Sequence, residues 1–397
     1  MALSKGVFIV AAKRTPFGAF GGKLKDFTAV DLGAIAAGAA LKAGGINPEI
    51  IDTCVVGSVG QNSPDAAYLG RHVALRNGVP VSTPCLTVNR LCGSGFQAIV
   101  SATQDILTND ANVGIAGGSE HMSGAPFTLR GARFGTKLGQ DLKLEDTLWA
   151  TLTDLHIKTP MGITAENLAE KYNISREECD TFALQSQSRW KAAQDGGRFK
   201  EEMAPITIKS RKGEVVFEVD EHPKPETTMA QISKLPPVFK KGGTVNAGNA
   251  SGICDGAGAV IVASEDAVKQ HNLTPLVRIV GYHISGCDPS IMGIGPVPAI
   301  TNLLQKTGKT LAEIDLVEIN EAFAPQTIAC AKELGIDMSK LNVNGGAIAL
   351  GHPVGCSGSR ITAHLVAELK RTASKYAIGS ACIGGGQGIA LLFENLQ

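Results

Sequence analysis

Thr87-Val88-Asn89-Arg90-Leu91-Cys92-Gly93-Ser94-Gly95-Phe96 is a short β-type run that stops at a glycine turn and opens into a helix over 96–107. Its echo stands near the other end of the chain: Asn342-Val343-Asn344, the turn Gly355-Cys356-Ser357-Gly358-Ser359, and a helix over 360–371. The two turns are offset by 263 residues, 92 against 355. The same offset relates Asp52 to Asp315, each placed just before an apolar run, Cys54-Val55-Val56 and Leu316-Val317-Glu318-Ile319. Further out, strand 6–12 with a helix from about Asp31 to Lys42 matches strand 276–280 with a helix from about Pro298 to Lys306. Val113-Gly114-Ile115-Ala116 likewise matches Tyr376-Ala377-Ile378-Gly379. One offset shared by several elements marks a duplication. Strands alternating with helices in each half predict an α/β protein with buried sheets.

Residues 121–270 have no partner in this pairing. Ser175-Arg176-Glu177-Glu178 is a capping box that opens a helix. That helix carries Cys179, Phe182, Ala183, Ser186 and Trp190 and stops at Gly196-Gly197. Pro223, Pro225, Pro236 and Pro237 then punctuate an extended stretch. The expected organisation is a core of two halves, 1–120 and 271–397, with 121–270 inserted between them as a loop domain.

Composition narrows the function classes. The chain has 397 residues, 44% of them apolar, and 37 basic against 37 acidic side chains. Nucleic-acid binders show a basic excess, which is missing here. No run reaches the roughly 18 apolar residues of a membrane span. Nine cysteines with no CxxC pair fit neither a disulfide scaffold nor a zinc ribbon, so no metal is expected and a reducing compartment is. Gly6-Val7-Phe8-Ile9-Val10-Ala11-Ala12 reads as a buried strand rather than a secretory signal. The first acid is Asp26, after five basic residues, and transit peptides share that acid-poor character; from composition alone, a basic loop after a strand is the favoured reading.

Four stretches carry chemistry. Cys92 on a strand-to-helix turn faces a helix N-terminus, an arrangement that favours thiolate and can bring a thiol pKa near or below neutral; it also fits a packed cysteine in a tight turn. Gly93 and Gly95 are costly so early in a helix, which implies close approach by a ligand or another backbone. His352, between Gly351 and Pro353, is either a general base for a thiol or a structural donor. Cys382 precedes Gly384-Gly385-Gly386, whose unhindered N–H groups suit an oxyanion hole. Asn320-Glu321-Ala322-Phe323-Ala324 offers an amide for a water or carbonyl, or a cap for the next helix. Two thiols, one imidazole and several donors near strand ends make a set suited to acyl transfer through a cysteine thioester. A nicotinamide dehydrogenase is excluded because no Gly-x-Gly-x-x-Gly opens the first strand–helix unit.

Over its whole length the chain resembles the thiolases. The resemblance rests on an ordered set: Arg14-Thr15-Pro16-Phe17-Gly18, Asn89 to Gly95, Asn246 to Gly252, Asp255-Gly256-Ala257, Asn320 to Ala324, Gly351-His352-Pro353 and Cys382 to Gly386. It implies a thiolase fold, in which two duplicated βαβ-type halves build a five-layered αβαβα core and the loop domain cradles CoA. It also implies the acetyl-CoA C-acyltransferase reaction, thiolytic cleavage of a 3-ketoacyl-CoA by CoA to acetyl-CoA and a shortened acyl-CoA. Cys92 would be the nucleophile, His352 its base, Cys382 the second acid/base, Asn320 the holder of a water, and Gly384 an oxyanion donor. Lys224, Thr227 and Ser251 would contact CoA, a substrate here, with no other cofactor. Lys224 departs from the arginine usual at its position, losing the planar fork. His121 departs from a small or amide residue. Thr159-Pro160-Met161-Gly162 resembles the degradative branch of fatty-acid β-oxidation, whereas the acetoacetyl-CoA branch of ketone-body or isoprenoid-precursor metabolism usually has Tyr-His-Met. A non-catalytic acyl-CoA or lipid carrier would be expected to lack Cys92, Cys382 or His352. Further implications are a homotetramer built from dimers and placement in the mitochondrial matrix with an uncleaved targeting start, the cytosol being the alternative.

Overall fold

The structure is a computed structural model that describes residues 3–210 and 213–397. The first half opens with β1 (Val7–Arg14) and α1 (Ala29–Gly44). Thr28 and Asp31 close a capping box at the start of α1, and Gly45 ends it in the left-handed region at φ 59°. Gly33, Ala36, Ala37 and Ala40 form its buried stripe, small enough to lay the helix close on the sheet. Then follow β2 (Thr53–Gly57), α2 (Leu69–Arg76), β3 (Cys85–Val88), α3 (Ser94–Thr108) and β4 (Val113–His121).

The chain then leaves the core. It forms small two-stranded ribbons and two longer helices, α4 (Met161–Lys171) and α5 (Arg176–Asp195). The Ser175–Glu178 capping box opens α5 as the sequence predicts. The core resumes with β5 (Cys254–Ser264), which runs antiparallel to β4 from Asp255↔His121 to Ala263↔Val113. The insertion therefore closes before Cys254, and the expected boundary at 270 runs past a central strand. The reason is geometric. In the second half the matching turn is Gly384–Gly386 alone; the insertion replaces that turn, so the counterpart of β5 no longer lies 263 residues away.

The second half repeats the first: β6 (Val277–Gly286), α6 (Pro296–Thr307), β7 (Leu316–Ile319), α7 (Ala324–Leu334), α8 (Ser357–Thr372), β8 (Tyr376–Ile383) and β9 (Gln387–Asn395). The two aspartates that betray the duplication do the same work. Asp52 accepts from the N–H groups of Asn112 and Val113 at 2.8 and 3.1 Å. Asp315 accepts from those of Lys375 and Tyr376 at 2.8 and 3.0 Å. One echo fails: 342–344 is no strand. Instead the Asn342 side-chain amide accepts from Ile319 N–H and donates to Ile319 C=O, both at 3.0 Å. A side chain thus replaces a strand partner.

The strands run in the order β7-β8-β9-β6-β1-β5-β4-β2-β3, and the halves meet where Phe8 and Ile9 pair with Arg278 and Val277. Both faces of these sheets are covered, which is why their strands read as continuous apolar runs. On β2, Cys54 and Val56 pack outward beneath α1 and α2, while Val55 points to the centre. The central layer is α3 and α8, with Phe96, Ile99, Ile361 and Leu365 between the two halves. Beyond the second half lie α6 and α7 over Ile378 and Leu392, joined by Phe182 of the inserted α5. Helix, sheet, helix pair, sheet, helix gives the five layers.

Glycines set the closeness of the central layer. A Cβ on Gly95 would lie 2.6 Å from Ser359 N, and one on Gly358 would lie 2.3 Å from Phe96 N. Of the two costly glycines at the start of α3, Gly95 is there for another backbone, because the duplicated helix starts cross at Gly95 and Gly358, while Gly93 makes room for the side chains of Ile383 and Ile389. The insertion is pinned to the core by Arg14, fully buried, whose guanidinium binds Glu202 at 2.5 Å and Asp220 at 2.7 and 3.0 Å between the rings of Phe17 and Phe199.

Candidate active site

Cys92 stands on an elbow between β3 and α3. Leu91 is held at φ 46°, a left-handed conformation that costs a non-glycine residue of order 1–3 kcal/mol. The elbow is braced on each side. Asn89 Oδ1 accepts from Leu91 N–H at 2.9 Å; Ser94 Oγ accepts from Arg90 N–H at 2.8 Å and donates to Leu91 C=O at 2.7 Å. Arg90 reaches Gln97 and, across to β9, Gln387, each at 2.7 Å.

His352 follows Gly351, whose φ of 97° and position 2.4 Å (from a built Cβ) to Cys254 Sγ admit only glycine. The His352 N–H donates to Gly252 C=O at 2.8 Å, tying the loop to the insertion. Its Nδ1 lies 2.5 Å from Ser357 Oγ, which in turn reaches Pro353 C=O at 3.3 Å. Asn320 Nδ2 lies 3.3 Å from Nε2. This network assigns the proton to Nδ1 and leaves Nε2 an acceptor. Burial, with Arg360 nearby, pushes the imidazole down to about 3, so it stays neutral. Asn320 itself follows β7, with its N–H bound to Ser380 C=O at 2.9 Å. Its Oδ1 is buried and has no partner among the described residues.

Cys382 is the penultimate residue of β8, fully buried, and burial together with Cys92 pushes its thiol well up. The turn after it carries positive φ at Gly385 and Gly386, 79° and 85°. This turn aims the Gly384 N–H at the Cys92 sulfur. Burial nevertheless pushes Cys92 up to about 11, against the pull of the N–H groups of Gly384 and Cys92 itself; the Glu120 carboxylate adds to the rise. Of the two readings that the sequence leaves open for Cys92, this direction favours a protonated thiol over a standing thiolate. Helix N–H groups are present, but enclosure outweighs them.

Cys92, His352 and Ser251 line one cavity of about 330 Å³, walled by apolar groups that include Trp149, Met161, Met292 and Phe323. Cys382 packs behind this wall against Met292 and Ala322. Lys224 and Thr227 lie elsewhere, in a surface depression shared with Glu226 and Gln231. Thr227 Oγ1 donates to Lys224 C=O at 2.7 Å, and the Lys224 side chain is exposed. His121 is buried outside the cavity, 3.1 Å from Leu24 C=O and 3.8 Å from Asp255. Sequence reasoning misses Ser357, Arg360 and Glu321. Glu321 accepts from Ser186, Asn342 and Ile348 N–H and so fixes the loop that precedes His352. Glu321 and Ser357 stand inside stretches that the sequence singles out, but nothing in those stretches marks either as a support for His352. Among the described residues, no helix is long and apolar enough to cross a membrane.

A nucleophile elbow, a neutral base and a second thiol at the junction of duplicated halves define a class, and comparison with known proteins names it. Residues 7–266 match the thiolase N-terminal domain and residues 273–395 the thiolase C-terminal domain. The chain belongs to the thiolase family. It is 67% identical over 395 residues to mitochondrial 3-ketoacyl-CoA thiolase of Bos taurus and 66% identical to that of Homo sapiens, with 100% of both chains covered in each case. The crystal structure of human mitochondrial 3-ketoacyl-CoA thiolase in complex with CoA superposes with a TM-score of 0.98 at 65% identity, covering 100% of this chain and 99% of the other.

Proposed function

We propose that this thiolase cleaves 3-ketoacyl-CoA with CoA in the β-oxidation of fatty acids, in the mitochondrial matrix; the relatives it matches over full length are named mitochondrial 3-ketoacyl-CoA thiolases. The observation that carries the chemistry is one cavity holding a thiol and a neutral imidazole whose Nε2 is an acceptor, with a second thiol packed behind its wall. His352 Nε2 takes the Cys92 proton as the sulfur attacks the 3-keto carbon. The C2–C3 bond breaks, Cys92 keeps the acyl group as a thioester, and Cys382 protonates the departing acetyl-CoA enolate. Cys382, now a thiolate, deprotonates the incoming CoA thiol. CoA attacks the acyl-enzyme, and Cys92 recovers its proton from His352.

The Gly384 and Cys92 N–H groups, both directed at the sulfur, supply the oxyanion hole for the acyl-enzyme. His352 and a water on the unpaired Asn320 Oδ1 receive the enolate oxygen. Ser251 contacts CoA within the cavity, and Lys224 with Thr227 contacts its charged end from the surface depression. CoA serves as substrate, and the reaction needs no further cofactor. A dimer-of-dimers assembly is supported by the exposed Phe127, Phe134, Leu138 and Leu144 on the inserted segment and Leu86 on the edge strand β3. The test is a kcat/KM series over 3-ketoacyl chain length in the thiolytic direction. Medium and long chains should be used well; a sharp optimum at acetoacetyl-CoA overturns the degradative reading.

A further inference from the structure

Two loops must keep register for the chemistry to work: the one beneath the elbow and the one bearing His352. Both are held by the same side chain. Glu120, near the end of β4, is 1% exposed. Its Oε2 accepts from Val59 N–H at 2.8 Å and from Gly355 N–H at 2.9 Å; its Oε1 accepts from Gly60 N–H at 2.9 Å. Val59 and Gly60 belong to the loop after β2, whose Val59 C=O receives Asn89 Nδ2 at 3.3 Å, and Asn89 in turn caps Leu91. Gly355 lies three residues after His352 and two before Ser357, the residue that fixes the imidazole tautomer. The fit is tight, for a Cβ on Gly355 would lie 2.6 Å from Glu120 Oε2. All three contacts are backbone donors, so the carboxylate works as a clamp rather than as half of an ion pair.

We infer that Glu120 is a positioning residue for thiolysis: one carboxylate locks the loop under the nucleophile to the loop that carries the base. The inference rests on the thiolase reading above, and it adds a second property. The Glu120 charge acts on Cys92, and its other titratable neighbours are Asp255 of β5 and Cys356 at the start of α8. Burial, with Asp255, raises the Glu120 carboxyl to about 7, below the range where Cys92 titrates. It is therefore an anion as Cys92 begins to ionise, and its charge opposes that ionisation.

The experiment uses the full chain and three variants, Glu120→Gln, Glu120→Asp and Gly355→Ala, the last disturbing the clamp from its other end. Steady-state thiolysis reads kcat and the KM for CoA. Iodoacetamide inactivation across pH reads Cys92 without any substrate. Loss of register should lower kcat roughly 10–100-fold in all three variants, with the KM for CoA within about twofold of the wild type. Removing the charge in Glu120→Gln should shift the inactivation midpoint to lower pH, whereas Glu120→Asp, which keeps the charge but not the reach, should leave it in place. If Glu120→Gln fails to fold, the other two variants still read the clamp. Unchanged kcat in the folded variants overturns the inference, as does a fall in kcat that only tracks lost thermal stability, or an unmoved midpoint in a folded Glu120→Gln. A wild type without thiolysis sinks the functional reading alone, since the alkylation profile still reports on Glu120.

Discussion

Replacing Gly358 by alanine tests the crossing of the two central helix starts. Within a helix, Gly→Ala ordinarily stabilises by about 1 kcal/mol. Here the new Cβ would sit 2.3 Å from Phe96 N and 2.8 Å from two atoms of the Phe96 ring, where ordinary contact begins near 3.4 Å. The obstructing atom at 2.3 Å is backbone, so α3 and α8 must part by about 1 Å. Overpacking of this kind costs about 1–3 kcal/mol or more, which outweighs the helix gain. The displaced element begins two residues after Cys92, so its misplacement should also lower kcat, by up to about 100-fold. Urea unfolding gives the stability change and thiolysis the catalytic one. The reasoning fails if Gly358→Ala is as stable as the wild type and equally active, because helix propensity would then have won over the crossing.

Other expectations follow from the site and its supports. Cys92→Ala should abolish thiolysis, while Cys382→Ala should turn over at least about 100-fold more slowly yet still form one acyl adduct on Cys92; mass spectrometry finding the adduct on another residue contradicts the assignment. With its thiol at about 11, Cys92 in the empty enzyme should alkylate ever faster through pH 9–10, and a plateau with a midpoint below 8 would refute the burial argument. Arg14→Gln leaves Asp220 in the core without its cation and Glu202 with His364 alone, and should cost about 3–5 kcal/mol in urea melts. Burial would raise the Glu202 carboxyl, but His364 and Arg14 hold it down to about 2. Its stabilisation is therefore present above its ordinary value near 4.5 and lost as pH falls toward 2, a window an acid melt of the wild type should show and Arg14→Gln should narrow.

The duplication was readable because it is a property of spacing, and Asp52 and Asp315 prove to make identical backbone bonds. The residues gathered around the cavity were readable too, since turn glycines and reactive side chains mark them locally. What stayed hidden depends on three-dimensional enclosure. The strain at Leu91 has no glycine or asparagine to announce it. Asn342 substitutes a side chain for a strand, which no periodicity reveals. The strand Cys254–Ser264 was assigned to the insertion because the insertion itself displaced it from the repeat offset. The direction of the Cys92 shift stays open in sequence, because the helix start is visible there and the surrounding apolar wall is not.

That enclosure has a consequence outside the catalytic cycle. Peroxides and electrophiles attack thiolates, and an enzyme that keeps its nucleophile ionised between turnovers exposes it continuously to oxidation. Here the resting pair is a protonated thiol beside an uncharged imidazole. The nucleophile is latent, generated only when a bound thioester gives the transferred proton and the developing charge somewhere to go. Between turnovers the cavity therefore presents no standing thiolate to such reagents.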